Sequence, residues 1–305
     1  MRHQGPSLAT SVGTVSLRSA VMTASGTAGH ADELGAYGPL DQLGAVVVKS
    51  LAPDPWAGNP APRLAPLELG MLNSVGLQGP GLEAWLRDDL PRLNSSGVSV
   101  VVSIWGHSIE DYARAASMLA GANITAVEVN VSCPNLEDRS RMFAHSASAT
   151  SEAVAAVGSE HQRWVKLSPN TSELVDIARA AVAAGADALT LTNTVLGMAI
   201  DVERRAVKLG GRGGGVSGSG IHPVAVRAVF ECASALPTTP LIGVGGVTTG
   251  TDAIEFLMAG ASAVQVGTAT LAEPRAPWRI MREMQTWMKR HGVTEVAELI
   301  GAAHG

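Results

Sequence analysis

Short apolar runs alternate with longer stretches of helical periodicity along most of the chain, and three segments repeat one design. Met118–Asn130, Val182–Asn193 and Met258–Gly267 each pass from a helix end through a glycine into an apolar strand. Gly121, Gly185 and Gly260 stand where a helix C-cap needs left-handed backbone. Further strands are predicted at Ala20–Thr23, Ala45–Lys49, Val98–Ile104, Trp164–Leu167 and Leu241–Val244, which with the repeats make eight. Helices are predicted at Ala31–Tyr37, Gly81–Leu93, Ile109–Leu119, Ala147–Val157, Ser172–Ala183, Pro223–Ala235, Thr249–Met258 and Pro277–Arg290. Strand–helix alternation with right-handed crossovers gives a parallel sheet, and eight such units close into a (β/α)8 TIM barrel of the α/β class. A doubly wound open sheet is the alternative. Two segments, 51–79 and 193–220, are longer than ordinary connections. Both follow strands, so the barrel carries extended loops at its C-terminal mouth, where barrel chemistry collects.

Composition narrows the setting. The 305 residues are 46% apolar and 16% charged, enough for a large core, and aromatics at 4% leave Ala, Val, Leu and Gly to fill it. That mix suits stacked helices and parallel strands better than a β-sandwich. No stretch is rich enough in Pro, Ser or charge to act as a linker, so residues 1–305 are expected to form a single domain. A net charge of −5 argues against nucleic acid or an anionic membrane as partner. No apolar h-region lies between Arg2 and Arg18, and no apolar run reaches the roughly 18 residues of a membrane span. The expected setting is cytoplasmic. Cys133 and Cys232 form no CxxC pair, so no metal or iron–sulfur site is expected. Cys232, within an apolar helical pattern, reads as core.

Candidate chemistry gathers at strand ends. Asn130–Asn135 follows the apolar strand Ala126–Val129 and sets a thiol between two carboxamides, with Pro134 ending the ladder. Cys133 there suits a base or a nucleophile. Of only four lysines, Lys49 and Lys166 both end apolar strands, which favours a bound anion over two snorkelling side chains. Asn73, Asn130, Asn135 and Asn193 each follow a strand or lie in the long second loop; as amides they are ordinary turn formers, but together they can read the edges of a pyrimidine. Gly243–Val247 and Val266–Thr268 are glycine turns after strands seven and eight, where barrels commonly bind phosphate. Gly213–Gly218 matches GxGxxG formally but follows no strand of a βαβ unit, and reads as a flexible loop near the phosphate, not an NAD fingerprint. His107 and His145 can touch the mouth, though loop histidines without a metal-spaced partner are usually solvated or structural.

With these residues assembled, the chain resembles the class 1 dihydroorotate dehydrogenases, flavin enzymes of pyrimidine biosynthesis. The resemblance runs nearly end to end, through Ala24–Gly26, Lys49–Ser50, Gly58–Arg63, Asn73–Gln78, Asn130–Asn135, Lys166, Asn193–Thr194, Ser217–Gly218, Gly245–Gly246 and Gly267–Thr268. Cys133, where the membrane-bound class has serine, points to class 1, and Gly76–Gln78 with Asn193–Asp201 resembles the 1B subclass.

The resemblance implies FMN across the mouth, held by Ala24, Ser25, Gly26, Lys49, Ser50, Asn130, Lys166, Thr192, Gly218, Gly245, Gly246, Gly267 and Thr268. It implies dihydroorotate, the product orotate leaving, bound by Lys49, Asn73, Val75, Gly76, Leu77, Asn130, Asn135, Asn193 and Thr194, with Cys133 removing the C5 proton. It also implies a homodimer core and a partner subunit carrying FAD and a [2Fe–2S] cluster, with NAD+ as final acceptor. Phe143-Ala144, Leu136–Arg141, the glycine run 210–215 and Trp105 depart from the family pattern. A dihydropyrimidine dehydrogenase-like flavoprotein and a flavin-free phosphate-binding barrel are the alternatives.

Overall fold

The computed structural model describes residues 5–132 and 142–305; Cys133 and Asn135 therefore lie outside the described residues. Eight parallel strands form the central sheet: β1 (Val21–Thr23), β2 (Val46–Val47), β3 (Val100–Ile104), β4 (Ala126–Asn130), β5 (Arg163–Leu167), β6 (Ala188–Leu191), β7 (Leu241–Val244) and β8 (Ala263–Val266). They neighbour one another in chain order, and β8 pairs back onto β1. At the remaining seam, Gly44 N–H donates to Val21 O (2.8 Å) and Thr23 N–H to Ala45 O (3.2 Å). Beyond them Val47 N–H donates to the Thr23 hydroxyl (2.9 Å), so a side chain completes the closure. The expected barrel is the observed one.

Strand alternation decides what is inside. Met22, Val47, Val101, Ala126, Trp164, Ala188, Ile242 and Ala263 form one buried cluster in the barrel's interior. Their strand neighbours Val21, Val46, Val100, Val127, Val165, Leu189, Leu241 and Val264 belong instead to the larger cluster that packs under the helices. An N-terminal hairpin, Thr10–Val12 with Val15–Leu17, was not expected; it adds Val12 and Leu17 to the interior cluster.

The helices fall where the periodicity puts them, with three differences, one of them an unpredicted short helix at Thr268–Ala272. The Gly81–Leu93 stretch is two helices, α1 (Leu82–Asp88) and α2 (Leu90–Ser95), because Pro91 lacks an N–H to continue the first and sits at the start of the second. Ala31–Tyr37 yields only a 3-10 turn at Glu33–Ala36, in a stretch punctuated by Gly35, Gly38 and Pro39. The others are α3 (Ile109–Met118), α4 (Ala147–Ala156), α5 (Leu174–Ala183), α6 (His222–Ala235), α7 (Gly250–Met258), a short α8 (Thr268–Ala272) and α9 (Ala276–His291). Capping boxes at Ser108/Asp111 and Thr249/Asp252 fix the starts of α3 and α7. Cys232 is fully buried in α6, as expected, and burial pushes its thiol up to about 12. Among the described residues, no helix is long and apolar enough to cross a membrane.

The two long loops fold together. Leu64–Leu67, Gly70–Asn73, Gly214–Ser217 and Val195–Gly197 make a four-stranded antiparallel sheet over the mouth, with Gly215 opposite Asn73. This corrects the expectation that Gly213–Gly218 is a flexible loop: residues 214–217 are a paired strand. Its glycines are there because neighbouring atoms approach closely: a Cβ on Gly214 would lie 2.2 Å from the backbone oxygen of Asn73, and one on Gly215 2.0 Å from the side-chain Oγ1 of Thr194. Gly214→Ala should therefore cost about 1–3 kcal/mol in urea denaturation, by overpacking against backbone. A change within about 0.5 kcal/mol would mean that the segment is a free loop after all.

Candidate active site

Alternation carries polar side chains into the barrel above the apolar cluster. Lys166 (β5) is 4% exposed, and its ammonium donates to Ser25 Oγ (3.2 Å) and stands 3.8 Å from Glu128 Oε1. Glu128 (β4) has no exposure; its other oxygen accepts from Gln265 Nε2 (β8) at 2.8 Å. A charge buried here is tolerated because it is paired and hydrogen-bonded. Sequence reading passed over Glu128, although a carboxylate inside an otherwise apolar strand is itself a signal.

Asn130 ends β4 and is held on several sides. Its amide nitrogen donates to Ser50 Oγ (3.3 Å), while its oxygen accepts from Asn193 Nδ2 and from Ser132 N–H (each 3.2 Å). Tyr112 OH donates to the Asn130 carbonyl (2.8 Å). Two of the four expected carboxamides thus meet directly. Asn73 lies in the mouth sheet and donates to Gly215 O (3.1 Å). Asn170, which sequence reading did not single out, braces the same rim: it donates to Thr194 O (2.9 Å) and accepts from Leu196 N–H (2.8 Å).

The strap from Asn73 to Gln78 is shaped by the segment before it. Arg63 donates to the carbonyls of Asn59 (2.6 Å) and Ala57 (2.8 Å), Asn59 N–H donates to Val75 O (3.0 Å), and Trp56 Nε1 donates to Gly76 O (2.9 Å). Leu77 is forced into left-handed backbone at φ 61°, unusual for a branched side chain. Lys49 Nζ donates to Gln78 O at the end of this strap. Its pKa is lowered to about 8, first by burial and then by the nearby Arg63 charge. Trp105 and His107 sit behind the strap, packed edge-on with Trp56 at centroid distances of 4.7–6.0 Å. Neither His107 nor His145 lines the cavity described next.

One cavity of about 510 Å³ opens at the mouth. Its lining contains every described residue that the resemblance assigns to FMN or dihydroorotate: Ala24, Ser25, Gly26, Lys49, Ser50, Asn73, Val75, Gly76, Leu77, Asn130, Lys166, Thr192, Asn193, Thr194, Gly218, Gly245, Gly246, Gly267 and Thr268. Ser132, at the end of β4, lines it too, and its hydroxyl has no partner among the described residues. Phe143 and Ala144, a noted departure, are buried beyond the cavity in a 3-10 turn, with Ala144 N–H donating to Val131 O (2.8 Å).

An eight-stranded barrel with carboxamides, two lysines and glycine turns around one mouth cavity is a small-molecule-binding (β/α)8 barrel. The chain belongs to the dihydroorotate dehydrogenase family, whose family model matches residues 7–288. It is 46% identical over 299 residues to the protein of Desulforudis audaxviator named dihydroorotate dehydrogenase B (NAD(+)), catalytic subunit, covering 97% of each chain. Proteins of the same name from Alkaliphilus oremlandii (44% over 289 residues, 94% of this chain and 95% of the relative) and Geobacter sp. strain M21 (43% over 302 residues, 98% and 99%) are similar to it along nearly their whole length. The expected likeness to the 1B subclass is borne out.

Lys49 offers a direct check of the site's electrostatics. Its folded pKa lies below the ordinary value of about 10.4, so between about pH 8 and that value the unfolded chain holds one more proton. This site's contribution to stability therefore rises with pH across that window and is least favourable below it. NMR of the reductively methylated protein should show one lysine titrating near pH 8 that is missing in Lys49→Met. A Lys49 signal titrating with the surface lysines would contradict the burial.

Proposed function

We propose that this chain oxidises dihydroorotate to orotate in pyrimidine biosynthesis, as one FMN-binding barrel domain spanning residues 1–305. The observation that carries the reading is the gathering around one cavity of all nineteen described residues that the resemblance assigns to FMN or dihydroorotate. The cavity fits the flavin nucleotide. Its volume lies within the usual ligand range of about 300–1,000 Å³. Thr192 Oγ1 on its wall is buried without a partner among the described residues. The Gly245–Gly246 turn has no room for side chains, since a Cβ on Gly246 would lie 2.9 Å from Gly218 O. Ala24, Ser25, Gly26, Ser50, Asn130, Lys166 and Thr192 would hold the ring end, and Gly218, Gly245, Gly246, Gly267 and Thr268 the phosphate.

When bound, FMN supplies a hydride acceptor for C6 of the substrate. The chain's own residues do the rest. Lys166, fixed by Glu128 and Ser25, keeps a positive charge at the cavity wall where negative charge develops. Lys49 faces the substrate carboxylate, and Asn73, Asn130, Asn193 and Thr194, with the strap at Val75, Gly76 and Leu77, orient the ring. Asn135 is assigned a like role on the resemblance, and Cys133 the removal of the C5 proton; the described end of that strand, Asn130–Ser132, reaches the cavity.

The relatives' shared name, catalytic subunit, supports a partner chain for this one as well. Within the proposal that partner carries FAD and a [2Fe–2S] cluster and passes electrons to NAD+, the barrels pair as a homodimer, and the complex is cytoplasmic. Exposed apolar side chains beside the mouth, Leu196, Met198, Ile200 and Val202, suit a protein contact.

Cys133→Ala should keep its flavin yet lose about 10²–10⁴-fold in turnover, the usual worth of a positioned base. A free thiol ionises near pH 8.5, so flavin reduction should quicken through that range, while KM for the substrate rises as Lys49 loses its proton above about 8. Wild-type turnover in Cys133→Ala would remove the thiol from the chemistry. Dihydrouracil turned over better than dihydroorotate would favour the dihydropyrimidine reading.

A further inference from the structure

His222 opens α6 behind the Gly245–Gly246 turn, outside the cavity lining, and its side chain is only 12% exposed. Its Nδ1 lies 3.1 Å from Gly245 O, and its Nε2 lies 2.9 Å from Glu255 Oε2 on α7. A carbonyl can only accept, and Glu255, half exposed, is an ionised carboxylate that can only accept too. A neutral imidazole has one N–H and would set a lone pair against one of these oxygens. Both contacts are satisfied only by the doubly protonated ring.

The surroundings suit a cation. Among the described residues, the charged groups Glu255 and Asp252, both on α7, face the ring, and Phe256 packs edge-on to it at 5.1 Å. Burial pushes the Asp252 carboxyl up, but bonds from Thr248 and Thr249 and the His222 charge outweigh it and leave it lowered. The N-terminus of a helix disfavours a cation, so it is the carbonyl and the carboxylates that hold this one.

The ring also touches the turn. Gly245 and Gly246 have φ of 138° and 70°, and a Cβ on Gly246 would lie 2.7 Å from His222 Cβ. With the Gly245 carbonyl engaged by the imidazolium, the N–H groups of Gly246 and Val247 donate to nothing among the described residues, and both residues line the cavity. We propose that His222, held between Gly245 O and Glu255, positions this turn so that its N–H groups bind the flavin nucleotide's phosphate. The proposal rests on the flavin reading above.

Riboflavin, which lacks the phosphate, separates this role from a merely structural one. Dissociation constants of FMN and riboflavin for the full chain can be measured by flavin fluorescence at neutral pH. His222→Gln should weaken FMN about tenfold or more, as expected for a lost charge-assisted bond, and leave riboflavin within about twofold. His222→Lys should restore FMN binding, and Glu255→Gln, an exposed and readily tolerated change, should weaken FMN in the same direction. Unchanged FMN affinity in His222→Gln, or equal loss of FMN and riboflavin, overturns the proposal. A wild-type chain that binds no FMN overturns the flavin reading and this inference with it.

Discussion

A lysine ammonium buried beside the axis of a barrel has to be compensated, and the pairing of Lys166 with Glu128 is the constraint around which this mouth is arranged. Removing either partner alone would strand a buried charge at a cost of roughly 3–5 kcal/mol. The pair divides the interior. Apolar side chains and the N-terminal hairpin fill the space around Trp164, and hydrogen-bonding groups occupy the strand ends. Gln265 reaches across from β8 to hold Glu128, and Ser25 receives the lysine, so strands from opposite parts of the barrel are tied at one level. The cavity's positive charge is thus fixed before any ligand arrives, which is what stabilising a developing negative charge requires.

The rim depends on this floor but is built differently. Its contacts join segments far apart in sequence: Asn73 bonds to Gly215 across 142 positions, and Asn193 to Asn130 across 63. Loop segments that would otherwise be free are paired into a sheet, and the strap at Val75–Leu77 is fixed from behind by Trp56, Asn59 and Arg63. A rigid rim spares the binding energy that ordering a loose one would consume.

Local pattern made the barrel legible, because inward and outward residues alternate in every strand and a glycine cap precedes three of them. It failed where partners are distant. The mouth sheet pairs glycine-rich segments with no alternation of their own, so Gly214–Ser217 reads as a loop until Asn73 is placed opposite. The hairpin at Thr10–Leu17 is too short to declare itself, and Pro91 broke a helix that periodicity ran straight through. In the site, lysines were visible as a rare residue type at strand ends, and carboxamides by recurring at strand ends and in the long second loop. Glu128 was hidden by its apolar neighbours, and His222 by a role that exists only where α6 meets α7 and a turn. The Trp56–Trp105–His107 cluster explains why a large side chain stands at Trp105: it packs behind the strap.

Family membership and the cavity lining converge on one chemistry, flavin reduction by a bound dihydropyrimidine carboxylate. Anaerobic addition of dihydroorotate to the purified chain, followed by visible absorbance, tests it most directly. The expected result is a yellow protein whose flavin band bleaches on addition of about one equivalent, with orotate formed in step with the bleaching. A colourless protein, or a flavin band that dihydroorotate leaves untouched, would contradict it.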